Sequence, residues 1–333
     1  MNEVLLWLPY GTSSQRDEPM PTTARPAPPR LLAEEWVRLS HRSLVPPRAV
    51  GIIDHTGTCA DLAASLGAAA ADVGATAELI DTQSQNSCAA ADLDTYVILV
   101  PQSPKLDDCA AAAEVSAFFG NRTWWPEITD TITDCWLVTV GGERVVADDA
   151  PPDLVHAAVS AGFRSIGTEY PGVGFRHLDL PAGSTPSESA VAVLSALHTK
   201  EESELALRDK GLYAKRIVPA DNSVADAATA APEHVLIIGG TGNLGLEFCE
   251  HFARRGARRI TLVSRSGETA AITDRLRQIR SETSTQIDAA KCDVGDQAAV
   301  ARLAAQHSDA PADLIIHAAL AYSDVELMDI TPE

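Results

Sequence analysis

Gly240, Gly242 and Gly245 stand in G-x-G-x-x-G spacing inside the stretch Ile238-Gly239-Gly240-Thr241-Gly242-Asn243-Leu244-Gly245. The spacing alone is a weak signal, and its surroundings strengthen it. The apolar run Val235-Leu236-Ile237-Ile238 precedes it, a helical pattern follows to Arg255, and a second strand pattern comes about 20 residues on. A strand, a glycine turn and a helix in that order need a tight bend, a backbone clear of side chains and close packing of helix on strand. Glycine meets all three needs. The N–H groups of the first helical turn, with the helix dipole, then bind phosphate. The chemistry implied is capture of a dinucleotide pyrophosphate by Gly239, Gly240, Thr241, Gly242, Asn243, Leu244 and Gly245. A tight turn that binds nothing is the competing reading.

The ends of the later strands narrow the ligand. The second strand finishes in Ser264-Arg265 with no carboxylate beside them. A hydroxyl and a guanidinium suit a ribose 2′-phosphate, where an acidic residue would suit a free 2′-hydroxyl, so NADPH is the expected cofactor. Cys292-Asp293-Val294 closes the third strand, with Asp293 placed to cap the next helix, to hydrogen-bond an adenine, or both. His317-Ala318-Ala319 follows the fourth.

Those residues must be carried by a parallel sheet. The first helix is expected to bury Leu244, Phe248 and Phe252, at i, i+4 and i+8, and to stop at Gly256. Strands are expected over Arg259–Val263, Gln286–Lys291 and Asp313–His317. A helix from Glu268 to Glu282 would pack through Ile272, Leu276 and Ile279, and another would point Val300, Leu303 and Ala304 inward. This makes four strands of a doubly wound sheet.

Upstream, residues 48–219 alternate β-rich and Ala-rich runs: strands at Ala49–Ile53, Thr95–Val100, Cys135–Val140 and near Phe175–Leu178, with helices over 59–74, 107–119 and 154–161. Strands joined by helical crossovers give a second α/β unit of Rossmann-like design. Its first turn, Asp54-His55-Thr56-Gly57-Thr58-Cys59, has one glycine where three are needed, so this half is read as cofactor-free. Gly141-Gly142 reads as a turn rather than a second site. Leu205–Val218 reads as a β-hairpin around a Gly-containing turn. The expected fold class is α/β with two Rossmann-like doubly wound units: 1–45 a proline-rich linker, 46–219 a cofactor-free unit, 220–233 a linker and 234–333 an incomplete nucleotide unit. Trp36 and Val37 are placed to pin the first linker onto a domain as a strand or short helix; a docking peptide for another protein is the alternative.

Composition excludes several classes. The 333 residues carry 46 acidic and 26 basic side chains, a formal charge of −20, which repels phosphate backbones and argues against a nucleic-acid partner. The six cysteines, Cys59, Cys88, Cys109, Cys135, Cys249 and Cys292, form no C-x-x-C pair, so reduced thiols are expected and no metal. The start lacks a signal peptide's basic n-region, and no run reaches the ~20 apolar residues of a membrane span. A cytoplasmic protein is expected.

The glycine motif, with Arg254-Arg255-Gly256-Ala257-Arg258-Arg259, Leu262-Val263-Ser264-Arg265-Ser266-Gly267, Cys292-Asp293-Val294 and His317-Ala318-Ala319, resembles the ketoreductase domain of modular polyketide synthases, in the short-chain dehydrogenase/reductase class. Residues 48–219 resemble the structural subdomain that precedes it. The segments 134–143 and 163–171 look closest to modules of mycobactin-type siderophore synthases, and the first 45 residues are similar to a linker that follows an acyltransferase domain. The resemblance implies NADPH-dependent reduction of a β-ketoacyl group carried on the phosphopantetheine of an acyl carrier protein, within the rest of a synthase module. It implies a catalytic Tyr four positions before an Asn or Lys, with a Ser and a Lys nearby. Tyr10, Tyr96, Tyr170, Tyr213 and Tyr322 are followed at that spacing by Ser14, Val100, Gly174, Ile217 and Glu326, and no Lys follows Lys291. No catalytic residue is assigned, Tyr322 and Ser323 being read as loop. The chain then reads as a ketoreductase cut before its catalytic half. The alternatives are a non-catalytic synthase module, half of a split ketoreductase, or an unrelated NADP-binding protein, against which the paired cofactor-free unit argues. Two departures from the pattern, Ile238 for Thr and Leu320 for Gly, predict a looser turn and a narrower or displaced loop.

Overall fold

The computed structural model describes residues 32–40, 44–82, 93–102, 104–220, 231–320 and 325–331. The proline-rich start, Cys88, most of the 220–233 linker, and Tyr322 with Ser323 lie outside the described residues. The chain divides into two compact units, unit one being Met1–Asp221 with Val325–Glu333 and unit two Asn222–Asp324.

Unit one is built on eight strands: β1 (Leu32–Arg38), β2 (Ala49–Ile53), β3 (Thr76–Leu79), β4 (Thr95–Leu99), β5 (Asp134–Val140), β6 (Gly174–Leu180), β7 (Glu204–Arg208) and β8 (Gly211–Pro219). Their order in the sheet is β1-β8-β7-β6-β5-β4-β2-β3. The run from β3 to β7 is parallel, while β8 pairs antiparallel with both β7 and β1. Helices α1 (Ala60–Asp72) and α4 (Pro186–Leu197) cover one face; α2 (Asp108–Asn121) and α3 (Leu154–Ile166) cover the other. β4 and β5 show why the middles of their sequences are apolar: Val97, Leu99, Trp136 and Val138 feed the first core, while Tyr96, Ile98, Cys135 and Leu137 feed the second. A parallel strand covered on both faces has no polar side to spare.

Of the two forms expected around Trp36 the structure shows the strand, and other expectations are corrected. Trp36 lies on a strand opposite Lys215, whose ammonium sits 5.0 Å from the Trp36 ring centre. The hairpin turn is made by Asp209 and Lys210, both at positive φ (48° and 59°), as in a type I′ turn, and Gly211 begins the next strand. The sequence reading passes over α4 and β3. Helix α4 carries an explicit start signal, Thr185 and Glu188 in a capping box with Pro186 at the first position. Strand β3 is four residues long and mostly exposed at the sheet edge, so it shows no apolar pattern. Residues 325–331 return to unit one, where Leu327 is fully buried in the α2/α3 core.

Unit two has four parallel strands, β9 (His234–Ile238), β10 (Arg259–Ser264), β11 (Gln286–Lys291) and β12 (Leu314–His317), in the order β11-β10-β9-β12. Helices α5 (Asn243–Arg254) and α6 (Ala270–Glu282) cover one face through Leu246, Cys249, Ala253, Leu276 and Ile279. The buried stripe of α5 is therefore Gly245, Leu246, Cys249 and Ala253, with Phe248 and Phe252 flanking it and Leu244 exposed. The correction is steric, because Gly245 must face the turn and so rotates Leu244 outward. Gly256, at φ 89°, ends α5: its N–H donates to the Ala253 carbonyl and that of Ala257 to Phe252, a Schellman closure. Helix α7 (Gln297–Gln306) buries none of its side chains, and Val300, expected inward, is exposed. That side of the sheet is mixed, with His234 bonded to Thr261 and to the Ala310 carbonyl and Ile315 left 62% exposed. The Asp313 carboxylate accepts the N–H groups of Glu233 and His234, aligning the starts of β12 and β9.

Candidate functional site: the glycine turn of unit two

Because all four strands of unit two run parallel, their C-terminal ends share one edge of the sheet. That edge brings together, in spatial order, Cys292-Asp293-Val294 after β11, Ser264-Arg265 after β10, the glycine turn after β9 and His317-Ala318-Ala319 at and beyond the end of β12. The order reverses between β9 and β12, the crevice where open α/β sheets hold ligands.

The turn is fixed by backbone. The Val263 carbonyl accepts N–H bonds from Gly239 (2.8 Å) and Gly240 (3.2 Å), and Gly242 donates to Gly239 (3.0 Å). These bonds do not involve residue 238's side chain, so Ile238 leaves the turn closed. Each glycine has its own reason to lack a side chain. A Cβ on Gly239, at φ 76°, would lie 2.6 Å from the Ala319 nitrogen; on Gly240, 2.8 Å from the Ile237 oxygen; on Gly245, 2.4 Å from the Gly239 oxygen. Gly242 differs, because its Cβ would meet nothing nearer than the Gly239 oxygen at 3.4 Å, and its φ of −80° suits any residue. What Gly242 keeps clear is space outside the protein. It also caps α5 without a side-chain hydrogen bond, where Asp107, Asp153, Thr185 and Asp296 cap other helices with theirs. The first-turn N–H groups of α5, from Asn243 to Gly245, thus have no side-chain acceptor among the described residues, the arrangement that suits an anion.

Around that cradle, the Ser264 hydroxyl accepts the Gly267 N–H (3.0 Å) and so folds the loop that carries Arg265. Arg265 is exposed and makes no ion pair among the described residues. Cys292 is buried and its N–H bonds the Ser264 carbonyl. The α7 cap belongs to Asp296, which accepts the Ala298 and Ala299 N–H groups, while Asp293, exposed, accepts that of Gly295. Of the two tasks set for Asp293, helix capping is therefore taken by another residue. Ala318 continues the ladder by donating to Ile238, and it is the 318–319 backbone that touches Gly239. Leu320 is 85% exposed and does not narrow the turn. Sequence reasoning misses Leu262 and Val263, which seat the glycines; only the β9–β10 register, Ile237 to Leu262, identifies them.

Unit one offers hollows with less chemistry. A cleft of about 610 Å³ opens at the C-terminal ends of β4 to β6, beside Gly141, Asp149, Asp153, His156 and Arg208. Its central acidic and basic groups are already engaged with one another. The buried Asp179 carboxylate accepts from Gly142 N–H (2.8 Å), Thr139 Oγ1 (2.6 Å) and Arg208 Nη2 (2.7 Å), and Asp149 takes Arg208 Nε. Asp153 covers the α3 N-terminus. An internal carboxylate stands where an anion would. Gly141-Gly142 is accordingly a turn, held close because a Cβ on Gly142 would lie 3.0 Å from that of His156. Glu143, His177 and Glu204 bring ligand atoms within 4.8 Å of one another, but Lys215 Nζ lies 2.9 Å from Glu143 and supplies the cation itself. Chemical fit therefore favours the open glycine turn over the unit-one cleft as the candidate site.

Two stretches of the chain match known families. Residues 35–217 match the family described as polyketide synthase extender module SpnB, Rossmann fold domain, and residues 234–333 match the KR domain. Polyketide synthase GfsA of Streptomyces halstedii is 34% identical over 215 residues, 59% of this chain and 3% of the relative. The pikromycin synthase component PikAIII of Streptomyces venezuelae is 32% identical over 187 residues, 55% of this chain and 12% of the relative. The chain thus spans a small part of these relatives. Among solved structures, the PlmKR1 ketoreductase from the first module of phoslactomycin biosynthesis in Streptomyces sp. HK803 has a TM-score of 0.64 at 24% identity, covering 90% of this chain and 64% of that one. The first ketoreductase of the tylosin synthase has a TM-score of 0.62 at 23% identity, with 90% and 65% covered. At such identities the likeness is one of fold.

Proposed function

The chain belongs to the Rossmann-fold domain family of polyketide synthase extender modules, and we propose that it forms the structural subdomain and the nucleotide-binding half of an NADPH-dependent β-ketoacyl reductase. Unit one is the cofactor-free structural subdomain and unit two the nucleotide half. The carrying observation is Gly242, a glycine that neither the backbone conformation nor any neighbouring atom requires, at the uncapped N-terminus of α5. A pyrophosphate approaching those N–H groups is what requires it.

When bound, NADPH supplies the hydride that reduces the ketone. The residues of this chain bind and orient it. The first-turn N–H groups of α5 take the pyrophosphate, and Arg265, with the Ser264 loop beneath it, takes the 2′-phosphate. Asp293 accepts from the adenine, and the 317–319 backbone lines the side facing the nicotinamide ribose. None of the tyrosines of this chain is assigned as the acid. The substrate is a β-ketoacyl thioester on an acyl carrier protein of the same module, and the setting is the cytoplasm. No described helix is long and apolar enough to cross a membrane.

Fluorescence titration tests the reading: NADPH should bind the purified chain and NADH more weakly. Absence of any saturable NADPH signal overturns it. With a β-ketoacyl thioester added, this chain alone should show no substrate-dependent NADPH oxidation.

A further inference from the structure

Arg122 is the C-cap of α2, held in the left-handed region at φ 55° and ψ 19°. Glycine is the residue that normally takes this position, and a larger side chain is held there only against strain. What the arginine gives in exchange lies 205 residues away. Its guanidinium donates to the Leu327 carbonyl (3.3 Å) and to that of Met328. From the opposite side, both oxygens of Glu169 accept the Leu327 N–H at 3.1 Å. One residue thus has its main-chain N–H and C=O gripped by charges of opposite sign. Between them the Leu327 side chain, fully buried, enters the α2/α3 core, and Ile330 packs at its margin. Residues 327–329 form a single 3-10 turn, with Asp329 N–H returned to the Glu326 carbonyl.

We propose that Arg122, Glu169 and the apolar hole beside them are a receptor for a turn-forming, leucine-bearing peptide, filled by residues 325–331. The receptor fastens the chain to unit one after its excursion through unit two. Recognition is by main chain plus one leucine, so the site is selective without a long interface. It is independent of nucleotide binding.

Hydrogen exchange on the full chain is the test. The Leu327 amide should exchange at least about 100-fold more slowly than in a free peptide. Arg122→Gly suits the left-handed cap better than arginine does, so it removes only the guanidinium. It should raise exchange at residues 325–331 about tenfold or more while β4 and β5 keep their protection. Free-peptide exchange at Leu327 in the unaltered chain, or no change in Arg122→Gly, overturns the proposal. In a Leu327→Asp chain, a synthetic peptide of sequence 325–331 at ~1 mM, near the effective concentration the covalent link provides, should restore the melting temperature of unit one. The same peptide carrying Asp should not. Failure of the leucine peptide to restore it removes the receptor reading, and if the Leu327→Asp chain does not fold, the exchange results decide.

Discussion

Gly242→Ala and Gly245→Ala separate a glycine needed by the fold from one needed by a ligand. At Gly245 the new methyl would sit 2.4 Å from the Gly239 oxygen and 2.6 Å from the Gly240 Cα, about 1 Å short of ordinary contact, with rigid backbone as the obstacle. Helix α5 must then move off the turn, at a cost of about 1–3 kcal/mol. For a unit of this size that is a loss of roughly 5–20 °C in melting temperature. At Gly242 the methyl meets only the 3.4 Å contact, and φ is already ordinary. Stability should change by less than about 1 kcal/mol, because the freedom lost by the unfolded chain offsets alanine's poorer fit at a helix N-cap. Affinity should fall, since displacing a pyrophosphate from charge-assisted N–H bonds costs about 1.5–3 kcal/mol, or about 10- to 150-fold. The assay pairs thermal melting of unit two with fluorescence titration by NADPH. The reasoning is refuted if Gly242→Ala binds NADPH as tightly as the parent, or if it loses as much stability as Gly245→Ala.

Three other outcomes are expected. Arg265→Ala should weaken NADPH about tenfold and NADH hardly at all, since only the 2′-phosphate uses the guanidinium; equal losses in parallel titrations would remove the role given to Arg265. Asp179→Ala strands the buried Arg208 with Asp149 as its remaining carboxylate partner, and should cost unit one about 3 kcal/mol, or roughly 6–12 °C in a calorimetric melt. Burial holds the His156 imidazole below its ordinary value, outweighing the pull of Asp153 and Asp179. The unfolded chain therefore takes up a proton first, and this contribution to stability, complete above about pH 6.5, declines below it. The carbon-bound ring protons of His156 should keep their neutral-form NMR shift while an exposed histidine titrates.

The glycine turn is legible in the sequence because its demands are steric and local. Three glycines at fixed spacing between an apolar run and a helix leave few other structures. Parallel strands are legible for a related reason, since β4, β5 and β9 carry runs of consecutive apolar residues to be covered on both faces or buried at the centre of a sheet. What stays hidden depends on distant partners. The inward stripe of α5 runs through Leu246, Cys249 and Ala253 because Gly245 is pressed to the turn, and no helical period in residues 243–254 states that choice. Val263 offers both glycines its carbonyl through strand register alone. Asp179 reads as one more acidic residue, and only the fold reveals that it occupies the place an anion would take in unit one. The 325–331 turn is hardest of all, for its partners Arg122 and Glu169 lie more than 150 residues earlier.

The burial of Leu327 in the core of unit one also sets an order of events during synthesis. When residue 221 has left the ribosome, every strand of unit one is present, yet the hole between α2 and α3 has nothing to fill it. About 110 further residues must be made first, which at 5–20 residues per second takes roughly 5–20 s. Unit two is completed only at the end of that interval, since its last strand, β12, precedes Leu327 by about ten residues. The nascent chain therefore carries an open apolar socket for seconds, and chaperones that read exposed hydrophobic surface have that long to engage it.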